Sequence, residues 1–170
     1  NGNALLFGGY DGSKYLNDTW SYNSTTGKWT KKNPATSPVA RARHGMVYDA
    51  DQGRFLMFGG TDASKLYDDT WTYTPSTGTW ASVNPGTKPS ARSMFGMSYD
   101  SKSKLTVLFG GHDGSNALKD TWRFDAIGGT WEKQPTSGSP SARYLTATVF
   151  DGSLNETVLF GGIEPGAGCY

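Results

Sequence analysis

The chain repeats itself every 51 residues, and this period constrains the fold more than any other feature of the sequence. A Gly-Gly pair, two tryptophans, an arginine and an aspartate recur at this spacing without any insertion. The repeated residues are Gly8, Gly9, Gly59, Gly60, Gly110, Gly111, Gly161 and Gly162; Trp20, Trp29, Trp71, Trp80, Trp122 and Trp131; Arg41, Arg92 and Arg143; and Asp18, Asp69 and Asp120. A period of about 50 residues is typical of proteins that stack one small structural unit several times.

Short apolar runs alternate with turn-forming residues along the whole chain, which contains 23 glycines and 8 prolines. No apolar pattern with a helical period persists, so the sequence predicts an all-β protein. In the second repeat we expect four strands, at residues 43–49, 55–60, 70–74 and 79–83. The segment 49–53 resembles the start of a calcium-binding loop, but its ligand pattern stops there and a β-turn is the better interpretation.

The repeat resembles the kelch family, in which a Gly-Gly pair follows an apolar second strand and an aromatic residue precedes a tryptophan. Here these pairs are Tyr22 with Trp29, Tyr73 with Trp80, and Phe124 with Trp131. The resemblance implies a segment of a β-propeller with four-stranded antiparallel blades of 51 residues. We expect two complete blades, at 34–84 and 85–135, between two partial blades at 1–33 and 136–170.

Two complete blades and two partial ones cannot close a ring, because propellers contain about four to eight blades. Open ends would leave unpaired strand edges. We therefore expect that the remaining blades come from a longer chain or from another copy of this one, in a six- or seven-bladed ring.

The repeated residues are predicted to hold the fold. Each tryptophan can bury about 150–250 Å² between neighbouring blades, and the glycines allow a sharp turn after the second strand. We expect the repeated arginines to bond a carboxylate or carbonyl of an adjacent blade, with the repeated aspartates as the natural acceptors. The resemblance leaves a second possibility, since kelch substrate adaptors carry basic residues at the mouth of the central channel.

Residues that differ between repeats on the loop-bearing side are the candidate binding surface, because variable aromatic and long polar side chains on loops are typical of recognition sites. The alternative is that they are solvated loop tips. The candidate ligand-binding residues are Tyr10, Arg43, His44, Phe95, His112 and Tyr144. The preferred function is a protein- or glycan-binding scaffold module.

The alternative function is an enzyme with its active site at the channel mouth. No nucleophile lies beside a base, and the only two histidines, His44 and His112, lack metal-ligand spacing, so we predict no catalytic residue, metal or cofactor. Similarity to kelch-type copper oxidases would require ligands that Cys169 and Tyr170 do not reproduce. Sugar mutarotases of the kelch type are neither favoured nor excluded.

Charge and hydropathy limit the partners further. Sixteen Lys and Arg residues balance 15 Asp and Glu residues, which argues against nucleic acid. No apolar stretch approaches the roughly 18 residues of a membrane-spanning helix, so we expect no membrane insertion. The sequons at Asn17, Asn23 and Asn155 are compatible with glycosylation of a secreted or cell-surface protein.

Overall fold

The structure, a computed structural model, describes residues 3–135, 137–165 and 168–169, and all its regular elements are β-strands. The first sheet contains β1 (Asn3–Tyr10), β2 (Tyr15–Asn23) and β3 (Lys28–Lys32). The second contains β4 (Gly45–Asp49), β5 (Arg54–Phe58), β6 (Thr70–Thr74) and β7 (Thr79–Val83). The third contains β8 (Gly96–Asp100), β9 (Leu105–Phe109), β10 (Thr121–Asp125) and β11 (Thr130–Lys133). The fourth contains β12 (Ala147–Asp151) and β13 (Glu156–Phe160), and a hairpin of β14 (Ile163–Glu164) and β15 (Gly168–Cys169) follows.

All strand pairs are antiparallel, and each strand lies beside its neighbours in the sequence, so the second and third sheets are four-stranded meanders. The first strands of successive sheets lie next to each other, since β8 contacts both β4 and β12. This arrangement confirms the predicted fold class of stacked four-stranded blades, flanked by smaller sheets on either side. Among the described residues no helix is long and apolar enough to cross a membrane.

Two of the four strands predicted for the second repeat have the predicted bounds, and two differ at the loop side; β5 also begins one residue earlier than predicted, at Arg54. β4 begins at Gly45 rather than at residue 43, because Arg43 adopts a left-handed backbone with φ of 59°. β5 ends at Phe58 rather than at residue 60, because Gly59 and Gly60 have φ values of 65° and 95°. A left-handed residue breaks the extended ladder, so both strands are shorter than their apolar pattern indicates.

Aromatic side chains join neighbouring sheets. Phe7 of the first sheet packs edge-on against Trp80 of the second at 5.0 Å between ring centroids, and Phe58 packs in the same way on Trp131 at 5.1 Å. Trp80 also donates its indole N–H to the buried Thr19 hydroxyl at 3.0 Å. The same bond joins Trp131 to a threonine at the start of β6. The repeated aromatic residues therefore fix both the spacing and the register of adjacent sheets.

Two of the repeated arginines, Arg41 and Arg92, bond the expected aspartates, but within one sheet rather than between neighbouring blades. The side chain of Arg41 is fully buried and makes two bonds to Asp69, of 2.5 and 2.8 Å, within the segment that forms the second sheet. Its backbone supplies the link to the adjacent sheet instead, since its carbonyl accepts the N–H of Gly9 and its N–H donates to the carbonyl of Leu16. The prediction of an inter-blade side-chain bond was wrong here, because the guanidinium folds back over its own sheet.

The aspartates in turn hold the tryptophans two residues later. Asp69 accepts the indole N–H of Trp71 at 2.8 Å, and the equivalent bonds of Asp18 and Asp120 measure 2.6 and 2.7 Å. Arg92 repeats the double bond to Asp120. In the described part of the chain, no arginine bonds Asp18, and Arg143 bonds Ser141 and the carbonyl of residue 161.

Candidate functional site

One edge of the sheets carries all the long connections. Backbone hydrogen bonds join Gly9 to Arg41, Ala42 to Thr61, and the later equivalents in the same way. We call this edge the loop face; it consists of residues 8–16, 41–44, 59–69, 92–95, 110–120, 143–146 and 161–165. The opposite edge carries the tight turns at residues 24–27, 50–53, 75–78, 101–104, 126–129 and 152–155, and we call it the hairpin face.

Three residues of the loop face share an unusual backbone. Arg43, Met94 and Leu145 have φ values of 59°, 59° and 58°. A left-handed backbone costs a residue other than glycine about 1–2 kcal/mol, so it persists only where the surroundings enforce it. Here a ladder enforces it, since Met94 donates its N–H to the carbonyl of Arg43 at 3.0 Å and Leu145 donates to Met94 at 2.7 Å.

The ladder brings three different side chains together. Arg43 is exposed, Met94 is half-buried and Leu145 is 56 % exposed. Their backbones are directly hydrogen-bonded, so neighbouring side chains lie roughly 5 Å apart, as on adjacent strands. The list of candidate residues contained Arg43 but not Met94 and Leu145, although both occupy the equivalent variable position at the 51-residue spacing.

The residues that follow the ladder point into the protein. Phe95 is only 8 % exposed and packs on Phe58 with 5.8 Å between ring centroids. His44 is mostly buried and packs edge-on against Phe7 at 5.7 Å. Each of them follows a residue with a left-handed backbone, where the chain turns, and each packs against an aromatic ring of a neighbouring sheet. Phe95 and His44 therefore pack between sheets, and the expectation that they contact a ligand stays a prediction.

Tyr10 lies at the first end of the loop face and is 55 % exposed. Its ring packs on Tyr15 with 4.9 Å between centroids, and its hydroxyl donates to the carbonyl of Gly12 at 3.0 Å. The two rings form an aromatic platform with a fixed orientation, which is a suitable surface for partner contacts.

His112 and Tyr144 meet at the other end, as edge-to-face rings with 5.1 Å between centroids. The Nδ1 atom of His112 accepts the N–H of Gly114 at 3.0 Å, so in the neutral ring the proton lies on Nε2. Both residues line a cavity of about 400 Å³ together with Asn116 and Glu164. The structure thus unites two candidate residues and adds Asn116 and Glu164, which the list of candidates did not contain.

Burial has a clear electrostatic effect on His44. Loss of hydration, together with the positive charge of Arg41, lowers the pKa of His44 from 6.5 to about 4. Its ring is therefore neutral in the folded chain at neutral pH, and its Nδ1 atom has no hydrogen-bond partner among the described residues.

This shift makes folding sensitive to mild acid. The unfolded chain takes up a proton on His44 between pH 6.5 and about pH 4, whereas the folded chain does not, so the contribution of neutral His44 is complete above pH 6.5 and decreases as the pH falls. We expect a loss of up to about 3 kcal/mol between pH 7 and pH 4 from this group. The free energy of unfolding in urea, measured at several pH values, checks the slope.

A matched pair of variants isolates the effect. The third repeat has Phe95 at the position of His44, so His44→Phe fits the fold and should flatten the slope above pH 4.5. His112→Gln, on the loop face, should retain it. An unchanged slope in His44→Phe would show that another group is responsible.

Among the described residues, carboxylates of the hairpin face hold a turn and connect two sheets. The Asp49 carboxylate accepts the N–H groups of Asp51 and Gln52 at 3.0 Å, so the segment that resembles a calcium loop forms a turn. Asp51 accepts the hydroxyl of Tyr99 at 2.6 Å and pairs with Lys104 at 2.9 Å, which ties the second sheet to the third. No group of three or more His, Cys, Asp or Glu residues there is arranged to hold a metal ion.

The three sequons differ in accessibility. Thr19 of the first is 1 % exposed and accepts the indole N–H of Trp80, so the hydroxyl that a glycosylation enzyme must reach at Asn17 is occupied. Asn23 and Asn155 are exposed beside turns. The side chain of Cys169 and all of Tyr170 lie outside the described residues.

Comparison with known proteins agrees with this geometry. A family model for the KLHDC2/KLHL20/DRC7 Kelch-repeats domain matches residues 1–162. The chain is similar to a Rab9 effector protein with kelch motifs from Xenopus laevis, with 29 % identity over 144 residues that cover 82 % of this chain and 39 % of the relative. It is also similar to Mei4-dependent protein 6 from Schizosaccharomyces pombe, with 30 % identity over 118 residues, or 62 % of this chain and 17 % of the relative.

A third relative is the dynein alpha chain of the flagellar outer arm from Chlamydomonas reinhardtii, with 29 % identity over 75 % of this chain and 3 % of the relative. The chain therefore spans less than half the length of each of these curated relatives. A kelch-repeat domain suggests a protein-interaction module. The repeated residues, the stacked sheets and the match over residues 1–162 show that the chain belongs to the kelch-repeat family.

Proposed function

We propose that the chain is a protein-interaction module and that its loop face binds the partner. The observation that carries this proposal is that the repeated residues and the variable residues lie in different places. Arg41, Arg92 and Phe58, which recur in each repeat, are buried and hold the sheets. At the variable position on the loop face, Arg43 and Leu145 are exposed and Met94 is half-buried.

The chemistry of the loop face supports a protein partner. Tyrosine and arginine are enriched among the residues that dominate binding energies in interfaces, and here they occur beside methionine and leucine. Tyr10 and Tyr144 lie at opposite ends, with the ladder of Arg43, Met94 and Leu145 as a mixed cationic and apolar centre. The relative named as a Rab9 effector is compatible with a role in binding another protein.

Substitutions on the two faces test the proposal. We expect Tyr10→Ala, Arg43→Ala and Tyr144→Ala to weaken binding to a partner captured by the wild-type chain at least tenfold, because each removes a contact group. Melting temperatures should change little, since surface substitutions typically alter stability by no more than about 0.5 kcal/mol.

The matched controls lie on the hairpin face, where Ile127 and Leu154 are 79 % and 63 % exposed. Ile127→Ala and Leu154→Ala should leave both affinity and melting temperature unchanged. Equal losses of affinity and stability in the loop-face variants, or a loss of affinity in the controls, would count against a binding loop face.

A further inference from the structure

The loop-face cavity between the third and fourth sheets exists because of two differences between repeats. Ala117 stands where the other repeats have Tyr15 and Leu66. At the preceding junction the Leu66 side chain fills the equivalent space, since a Cβ built on Gly114 would lie 3.3 Å from it. Tyr144 stands where the other repeats have Ala42 and Ser93. The junction between the third and fourth sheets therefore lacks the side chain that fills this space elsewhere, and an aromatic ring lines the space instead.

Glu164 supplies the charge of this cavity. It forms an ion pair with Arg143 at 3.9 Å, far longer than the bonds of 2.5 to 2.9 Å that Arg41 and Arg92 make to their aspartates. Arg143 directs its guanidinium donors to Ser141 and to the carbonyl of residue 161. Within the described residues Glu164 accepts no side-chain hydrogen bond, so its carboxylate keeps its acceptor capacity.

The chain itself shows what a tyrosine ring and a carboxylate can hold together. The guanidinium of Arg41 lies 3.8 Å from the centroid of the Tyr67 ring and bonds Asp69 through two nitrogens. A guanidinium is planar, so it can stack on a ring while it bonds a carboxylate with two parallel N–H groups. A lysine ammonium has no equivalent plane.

We propose that this cavity takes the guanidinium group of an arginine from the bound partner, with Tyr144 as the stacking ring and Glu164 as the acceptor. The inference rests on the proposed function, because it names one anchor of the partner on the loop face. His112 acts as a positioning residue, since its edge-on contact fixes the plane of the Tyr144 ring.

A small probe tests the inference without knowledge of the partner. N-acetyl-L-arginine amide is titrated into the ¹⁵N-labelled chain, and the backbone amide shifts of residues 112–117 and 144–164 are followed. We expect saturable shifts with a millimolar dissociation constant, as is reasonable for one side chain. The citrulline analogue has the same shape without the charge, and it should bind at least tenfold more weakly, as should the lysine analogue.

Two variants with the same chemical change localise the probe. Glu164→Gln should weaken binding of the arginine amide at least tenfold, whereas Glu156→Gln, an exposed residue at the start of β13, should leave it unchanged. Tyr144→Leu should weaken it as well. Equal binding of the citrulline analogue, or an unchanged affinity in Glu164→Gln, would overturn the inference.

The outcome is separable from that of the proposed function. If the arginine amide does not bind but Arg43→Ala and Tyr10→Ala still lose the partner, the guanidinium site is wrong and the binding face stands. If the arginine amide binds as expected but the loop-face variants retain the partner, the site exists and the proposed function fails.

Discussion

Replacing Arg92 with methionine should reduce the free energy of unfolding by about 3–5 kcal/mol, the usual effect of removing one partner from a buried ion pair. The Arg92 side chain is 1 % exposed, and it bonds both oxygens of Asp120 at 2.7 and 2.9 Å. It also donates to the carbonyl of Gly110 at 3.1 Å. Its loss leaves a partly buried carboxylate and an unpaired carbonyl in the connection between β9 and β10 of the third sheet. Urea unfolding of wild type and variant measures the difference.

Arg123 provides the matched control. It also forms an ion pair, with Glu132 at 3.1 Å, but its side chain is 41 % exposed. Exposed pairs contribute about 0–1 kcal/mol, so Arg123→Met should change stability by no more than that. Adding Asp120→Asn to Arg92→Met should recover part of the loss by removing the orphaned charge. Similar effects of Arg92→Met and Arg123→Met would refute a structural role for the repeated arginine.

Replacing Gly59 with alanine should destabilise the chain by about 2–5 kcal/mol, because backbone strain and a steric clash act together. Gly59 has a φ of 65°, and a Cβ there would lie 2.7 Å from the carbonyl oxygen of Arg92. That oxygen belongs to the backbone and accepts the N–H of Gly60 at 2.9 Å, so it cannot move without breaking an inter-sheet bond.

Gly53 separates strain from clash. Its φ is 64°, but a Cβ there would meet no atom within 4 Å. Gly53→Ala should therefore cost only the roughly 1–2 kcal/mol of a left-handed backbone. Thermal unfolding of both variants should place Gly59→Ala clearly below Gly53→Ala. Equal melting temperatures would mean that close packing at the Gly-Gly pair is not what the fold requires.

Much of the fold could be predicted from the sequence, because the repeat reports every position several times. The Gly-Gly pairs and tryptophans marked stacked units, and strands at 70–74 and 79–83 have the predicted bounds. Turn residues at the ends of these strands, and the alternation of side chains along them, define such strands locally. The bounds on the loop side differed where Arg43 and Gly59 leave the extended conformation.

The candidate site was harder to predict, because its geometry depends on neighbouring repeats. The left-handed backbone of Arg43 and Met94 depends on hydrogen bonds across sheets, and no residue type in the sequence requires it. This left-handed backbone determines that Phe95 is buried, although a phenylalanine beside a variable loop is typical of a residue that contacts a ligand. The cavity beside Tyr144 similarly depends on the small size of Ala117, 27 positions earlier in the chain.

The most direct test of a binding loop face is site-specific photo-crosslinking. A photoreactive amino acid is placed at Met94 on the loop face or at Leu154 on the hairpin face, and mass spectrometry identifies the products formed with the captured partner. Crosslinks should form from position 94 and not from position 154. Crosslinks from position 154 alone would contradict the account, because the partner would then lie on the face of tight turns.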